Sequence, residues 1–139
     1  MKLFVDTSAL YSLLDRSDLN HASAKDIWRQ LMADGSDLVT SNYVLLETMA
    51  LAQGRLGMAA VRDLSEGIGA LLTVHWVDRT LHEMGIAAVL AANRRRLSLG
   101  DCISFAVCRQ LHIARVFAFD PHFDEQGFLP PYDTATYNG

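Results

Sequence analysis

Four carboxylates stand at places where chemistry could be done. Asp6 ends the apolar run Leu3-Phe4-Val5, Glu47 interrupts Val44-Leu45-Leu46 ahead of Met49-Ala50-Leu51, Asp101 follows Ser98-Leu99-Gly100, and Asp120 precedes Pro121. Singly, each has an ordinary use. Asp6 suits a turn or cap, Glu47 a solvated helix face, Asp101 the reciprocal acid of a capping box with Ser98, and Asp120 a turn opener, with Asp124 solvated nearby. Gathered together, carboxylates ~5 Å apart at an effective dielectric of ~20 repel by roughly 3 kcal/mol per pair, which demands protons or a cation. Oxygen donors without a His or Cys set select hard ions, so the pattern points to Mg2+ or Mn2+ with several waters retained and disfavours zinc.

Other chemistries fit less well. The histidines at 21, 75, 82, 112 and 122 show no pair spacing suited to acid–base work, and His122, between Pro121 and Phe123, reads as structural. Cys102 and Cys108 lie about 240° apart around one helix and so do not pair within it; no CxxC spacing suggests structural zinc, and buried free thiols are expected. An aspartyl-nucleophile phosphatase wants a second Asp two residues after the first, where Ser8 stands. A phosphoacceptor domain wants a late lysine, but the lysines are Lys2 and Lys25.

The formal net charge of −4 counts against a protein that coats nucleic acid through many phosphate contacts. Four acids set aside for a metal leave the remainder formally neutral, and a bound cation reverses the local potential. Arg94, Arg95 and Arg96 form the cationic run; they read first as a complement to a helix carboxyl end and second as contacts to the phosphates of a nucleic acid.

The elements that must position these acids alternate. Leu3 to Val5 reads as a strand, and Thr7 or Ser8 as the cap of a helix from Ala9 to Leu14. Ala24, Ile27, Trp28 and Leu31 form a helical stripe within Asn20 to Ala33. Asp37 to Thr40 is a second strand. Ser41 or Asn42 caps a helix from Tyr43 to about Gln53, closed by Gly54, and Met58 to Leu72 is a helix weakened by Gly67 and Gly69. Thr73 to Val77 reads as the third strand and Asp78 as a cap for a helix from Arg79 to about Arg96, apolar around most of its circumference and so destined for the sheet or a second subunit. A helix carrying Ile103, Ala106, Val107 and Leu111 precedes a fourth strand, Arg115 to Phe119, and an irregular tail after Phe128.

This alternation implies parallel strands with right-handed crossovers: a three-layer α/β/α domain over residues 1–139, with a central, mainly parallel sheet of four or five short strands. Ligands bind beyond the carboxyl ends of such strands, where Asp6 and Asp120 stand. Half the residues are apolar and no low-complexity tract occurs, so one sizeable core is expected. The longest apolar stretch, around Met84 to Ala92, falls short of the roughly 18–20 residues of a membrane span, and no signal-peptide pattern opens the chain; a cytoplasmic location is expected.

Val5-Asp6-Thr7-Ser8-Ala9-Leu10, the mid-chain Glu47, Leu99-Gly100-Asp101 and Phe119-Asp120-Pro121-His122-Phe123, in that order across nearly the whole chain, resemble PIN-domain nucleases. The short length further resembles the VapC toxins of type II toxin–antitoxin pairs. The resemblance implies a metal-dependent ribonuclease that leaves 5′-phosphate and 3′-hydroxyl ends, with Asp6, Asp101 and Asp120 as ligands of Mg2+ or Mn2+. It implies Glu47 acting through water, Ser8 holding Asp6, and Asp124 as an auxiliary acid. It also implies an RNA substrate, a VapB-like antitoxin covering the site, and homodimers. Gly100 stands where many relatives carry a larger residue. The rival reading is a non-catalytic PIN-like module that binds RNA or protein, against which the retention of all four acids argues.

Overall fold

In a computed structural model describing residues 1–133, four strands form one sheet, all parallel, in the order β3-β2-β1-β4. The strands are β1 (Lys2–Val5), β2 (Asp37–Ser41), β3 (Thr73–His75) and β4 (Val116–Phe117). Phe4 pairs with Val39 on one side and Val116 on the other, and Thr40 pairs with Val74. Leu3, Phe4 and Val5 are all wholly buried, and Leu38, Val39 and Thr40 nearly so. A strand that buries successive residues is covered on both faces, as parallel sheets are.

The helices are α1 (Thr7–Leu14), α2 (His21–Ala33), α3 (Asn42–Arg55), α4 (Met58–Arg62), α5 (Arg79–Ala92), α6 (Leu99–Gln110) and α7 (Pro121–Glu125). The chain steps from β1 to β2 to β3 in one direction, then returns past β1 to β4. Right-handed crossovers therefore place α1 to α4 on one face and α5 and α6 on the other. The direction of winding reverses between β1 and β4, and this switch point is where such sheets open a crevice.

Several boundaries differ from the sequence reading, each for a local reason. Asp6 itself caps α1, in place of Thr7 or Ser8: its extended backbone and side-chain bond from the Ser8 N–H meet the requirement directly. Helix α3 runs through Gly54 to Arg55, and the chain turns at Gly57, whose φ of +94° favours glycine. The predicted helix from Met58 to Leu72 breaks into α4, a π turn (Asp63–Gly67) and a 3-10 turn (Ile68–Leu71). β3 stops at His75, short of Val77. Helix α5 ends at Ala92, where Asn93 adopts left-handed geometry, so the arginines follow the helix and do not occupy its last turn.

β4 is two residues long, shorter than the predicted Arg115 to Phe119, and α7 was not anticipated. After α7 the chain returns beside β4, where Arg115 and Leu129 form one parallel bridge. The rest of the predicted irregular tail, residues 134–139, lies outside the described residues. Cys102 and Cys108 are buried free thiols, and burial pushes Cys108 up to about 12. Helix α5 packs on α6 at Gly85, which faces Ile103 and Leu99, but leaves Met84, Ile86 and Leu90 exposed. Among the described residues, no helix is long and apolar enough to cross a membrane.

Candidate active site

Three of the four acids are delivered by helix starts at the carboxyl edge of the sheet. Asp6 caps α1, Asp120 caps α7 with Oδ1 accepting the His122 N–H at 2.9 Å, and Asp101 is the third residue of α6. The capping box expected of Ser98 and Asp101 is present in full: the Asp101 N–H donates to Ser98 Oγ at 3.0 Å, and the Ser98 N–H donates to Asp101 Oδ2 at 3.1 Å. The ordinary and the chemical uses of these acids coincide. The positive ends of helices offset part of the charge that gathering the acids creates.

Glu47 comes from within α3. Next to it Thr48 is fully buried, its hydroxyl donating to the Val44 carbonyl at 2.7 Å and lying 3.2 Å from Thr7 Oγ1, while the residue before it, Leu46, is exposed. The α3 and α1 surfaces are thus tied by hydroxyls beside the site, and Glu47 retains an exposed flank. Gly100 faces it: a Cβ there would lie 3.4 Å from Glu47 Oε2, which is ordinary contact, so the bare glycine leaves room beside that oxygen.

All four acids line one cleft of about 340 Å³. Asp6 is the most deeply set. Its Oδ2 accepts from the Ser8 N–H at 3.1 Å and the Ser8 hydroxyl at 2.7 Å, while Ser8 Oγ accepts from the Phe119 N–H at 2.9 Å. This relay stitches the end of β1 to the segment after β4 across the switch point, aided by the Asp6 N–H donating to the Phe117 carbonyl at 3.0 Å. Burial raises the Asp6 carboxyl from 3.8 to about 6; the Ser8 bonds pull it down in part, and the charges of Asp101 and Glu47 add to the rise. Burial likewise raises Glu47, with Asp101 next in effect, and raises Asp101, where the Ser98 N–H opposes and Asp120 reinforces. Burial is the first cause at all three and the neighbouring carboxylates add to it, so the cluster holds protons more tightly than lone acids do.

Oxygens of Asp101 and Asp120 and a nitrogen of His122 lie within 4.8 Å of one another. The imidazole is already committed, however. Nε2 lies 3.0 Å from the Arg96 carbonyl and Nδ1 3.3 Å from Glu125, which in turn holds Arg94 at 3.2 Å. Two facing acceptors favour the doubly protonated ring, and the Glu125 bond foremost raises its pKa. His122 therefore fastens α7 to the segment leading into α6, the structural role read from the sequence. Arg94 serves the same join. Asp124 is exposed in the first turn of α7 and does not line the cleft.

Sequence reasoning missed several lining residues. Leu51 and Arg55 follow Glu47 at i+4 and i+8 along α3, and Tyr11 stands one turn beyond Ser8 on α1. Helical spacing from the acids would have found them. Asp18 and Asn20, from the turn after α1, carry no such signal; Asp18 Oδ1 accepts from the Ser12 hydroxyl at 3.1 Å and from the Asn20 N–H at 2.8 Å.

Residues 3–129 match the PIN domain family. The 23S rRNA-specific endonuclease VapC20 of Mycobacterium tuberculosis is 34% identical over 128 residues, spanning 91% of this chain and 95% of that protein, and its counterpart in a second strain matches equally. The crystal structure of M. tuberculosis VapC20, described as a sarcin-ricin loop cleaving toxin, has a TM-score of 0.81 at 33% identity, over 91% of this chain and 96% of that one. With an acid-lined switch point in an all-parallel sheet and likeness over nearly its full length, the chain belongs to the PIN domain family and is similar to that family's VapC toxins.

Proposed function

We propose that this chain is a metal-dependent endoribonuclease, the toxin of a type II toxin–antitoxin pair, acting on ribosomal RNA in the cytoplasm. The observation that carries the proposal is the meeting of Asp6, Glu47, Asp101 and Asp120 in one cleft at the switch point. The donor set suits a hard divalent cation, Mg2+ or Mn2+: it offers clustered carboxylate oxygens, while the nearby His122 has both nitrogens engaged. Asp6, Asp101 and Asp120 would hold the ion, and Glu47 would act through water. Asp124 stays outside this set. When bound, such an ion acidifies water and offsets charge on the phosphate.

The chain's own residues supply positioning and proton handling. Ser8 fixes the Asp6 carboxylate, and Ser98 fixes that of Asp101, so neither must reorganise when RNA enters. Glu47, lining the same cleft on a longer side chain than the three aspartates, is placed to take a proton from the attacking water. In-line attack then breaks the bond to the 3′ oxygen, leaving 3′-hydroxyl and 5′-phosphate ends. The likeness to VapC20 supports the sarcin–ricin loop of 23S rRNA as substrate. A VapB-like antitoxin would cover the cleft, and the exposed Ile86 and Leu90 of α5 would serve a homodimer.

The test is incubation of purified protein with bacterial ribosomes in Mg2+ or Mn2+, with cut ends mapped by primer extension. One discrete cut in 23S rRNA is expected, lost on adding chelator and in a folded Asp101→Asn variant. A folded wild-type protein that binds rRNA without cutting it would support the non-catalytic module instead.

A further inference from the structure

The cleft holds five acids, Asp6, Asp18, Glu47, Asp101 and Asp120, and one cation, Arg55. Outside the cleft, Arg29, Arg79, Arg94 and Arg115 are paired with carboxylates and Arg109 donates to Gln126 and stacks on Phe105 and Phe128, while Lys2, Arg16, Lys25, Arg62, Arg95 and Arg96 make no ion pair among the described residues but do not line the cleft. Arg55 is in no ion pair among the described residues. Its guanidinium instead lies over the Tyr11 ring, 5.4 Å from the centroid, and Tyr11 is itself pinned by its hydroxyl donating to Asp15 at 2.9 Å. Arg55 also hydrogen-bonds the Tyr11 side chain, so the ring and its hydroxyl together orient the guanidinium, and the remaining donors of its five-N–H fork can meet an anion. Arg55 stands two turns beyond Glu47 on α3, about 12 Å along the helix axis, so it reaches a different part of any strand whose scissile phosphate sits among the acids.

We propose that Arg55 is a substrate-binding residue: its guanidinium receives an RNA phosphate flanking the scissile one and sets the strand's register along α3. This rests on the ribonuclease reading above. A chain with a negative overall charge, and an acid-lined cleft, needs such a point of attachment if a polyanion is to enter in one orientation. The competing explanation is purely structural, since Arg55 also lies in the last turn of α3, where a cation favours the helix.

The two are separated by binding and cleavage measured apart. In an Asp101→Asn background, which does not cut, a fluorescent sarcin–ricin loop hairpin is titrated by anisotropy over a range of KCl concentrations. Arg55→Ala should bind about ten-fold more weakly at low salt, the loss of one charge-assisted contact. Its plot of log affinity against log salt should be shallower by about 0.7, as for one single-strand phosphate contact. Arg55→Lys should keep the slope while losing part of the affinity. In the otherwise wild-type chain, Arg55→Ala should raise KM and leave kcat close to normal. Unchanged affinity and slope in both variants, with only a lower Tm, would overturn the proposal. Should Arg55→Ala not fold, the Arg55→Gln variant supplies the same readings. Failure of the wild-type chain to cut the hairpin or rRNA would instead defeat the ribonuclease reading, an outcome visible without any Arg55 variant.

Discussion

Asp6→Asn should make the metal-free protein more stable while destroying its activity. Asp6 is held in the folded chain with its carboxyl raised from 3.8 to about 6, chiefly by burial. A raised carboxyl pKa means that the folded state binds the proton more tightly than the unfolded chain, so its contribution to stability is greatest below pH 3.8 and is lost as pH rises through about 6. At 1.36 kcal/mol per pH unit, the full cost of carrying the charge at pH 8 is about 3 kcal/mol. Asparagine keeps an oxygen to accept from Ser8 and removes the charge. In chelator at pH 8 the variant should therefore gain about 3 kcal/mol in urea unfolding, or on the order of 10 °C in Tm for a chain of this length. The gain should shrink towards zero as the pH is lowered to about 4, where wild-type Asp6 is itself protonated. Adding Mn2+ should stabilise wild type by mass action and close the gap. A variant that is less stable than wild type in chelator at pH 8, or that gains as much from Mn2+, would refute the reasoning.

Ser8→Ala removes the relay from the Phe119 N–H to Asp6 and leaves that N–H unpaired; a loss of about 1–3 kcal/mol in urea unfolding is expected, with a lower kcat for cleavage. Gly85→Ala would place a Cβ 2.3 Å from Ile103 Cδ1 between α5 and α6, and Ile103 is fully buried. Crowding of about 1–3 kcal/mol should outweigh the helix propensity gained, with normal activity in the fraction that remains folded. Leu90→Asp, at a side chain 73% exposed, should change stability by no more than about 0.5 kcal/mol yet convert a dimer to a monomer in sedimentation; a dimer that persists would remove α5 from the interface.

The alternation of strands and helices is legible in the apolar run Leu3-Phe4-Val5 of β1, the Leu38-Val39 pair of β2 and the stripe Ala24, Ile27, Leu31 of α2, each bounded by turn or cap residues. The order of the strands is not, since it is set by the long return from β3 to β4 rather than by any local residue. The acids were legible as a set through the turn residues beside them: Ser98 and Asp101 formed the expected capping box, and Asp120 stood before Pro121. That all four line one cleft follows only from the reversal of winding between β1 and β4. Arg94 was misread because Asn93 stops α5 early, which turns a helix-end cation into the partner of Glu125. Arg55 is hidden in the sequence because Gly54 suggests a helix ending at Gln53, two residues short of the observed end, which removes Arg55 from the face that Glu47 begins.

The claim that everything else depends on is that these acids form one divalent-cation site. Crystals soaked in Mn2+ and measured for anomalous scattering test it directly. The account predicts a peak within ligand distance of Asp6, Asp101 and Asp120 carboxylate oxygens that vanishes in Asp120→Asn. An empty cleft at saturating Mn2+, or a peak held by His122 and Glu125 instead, would contradict it.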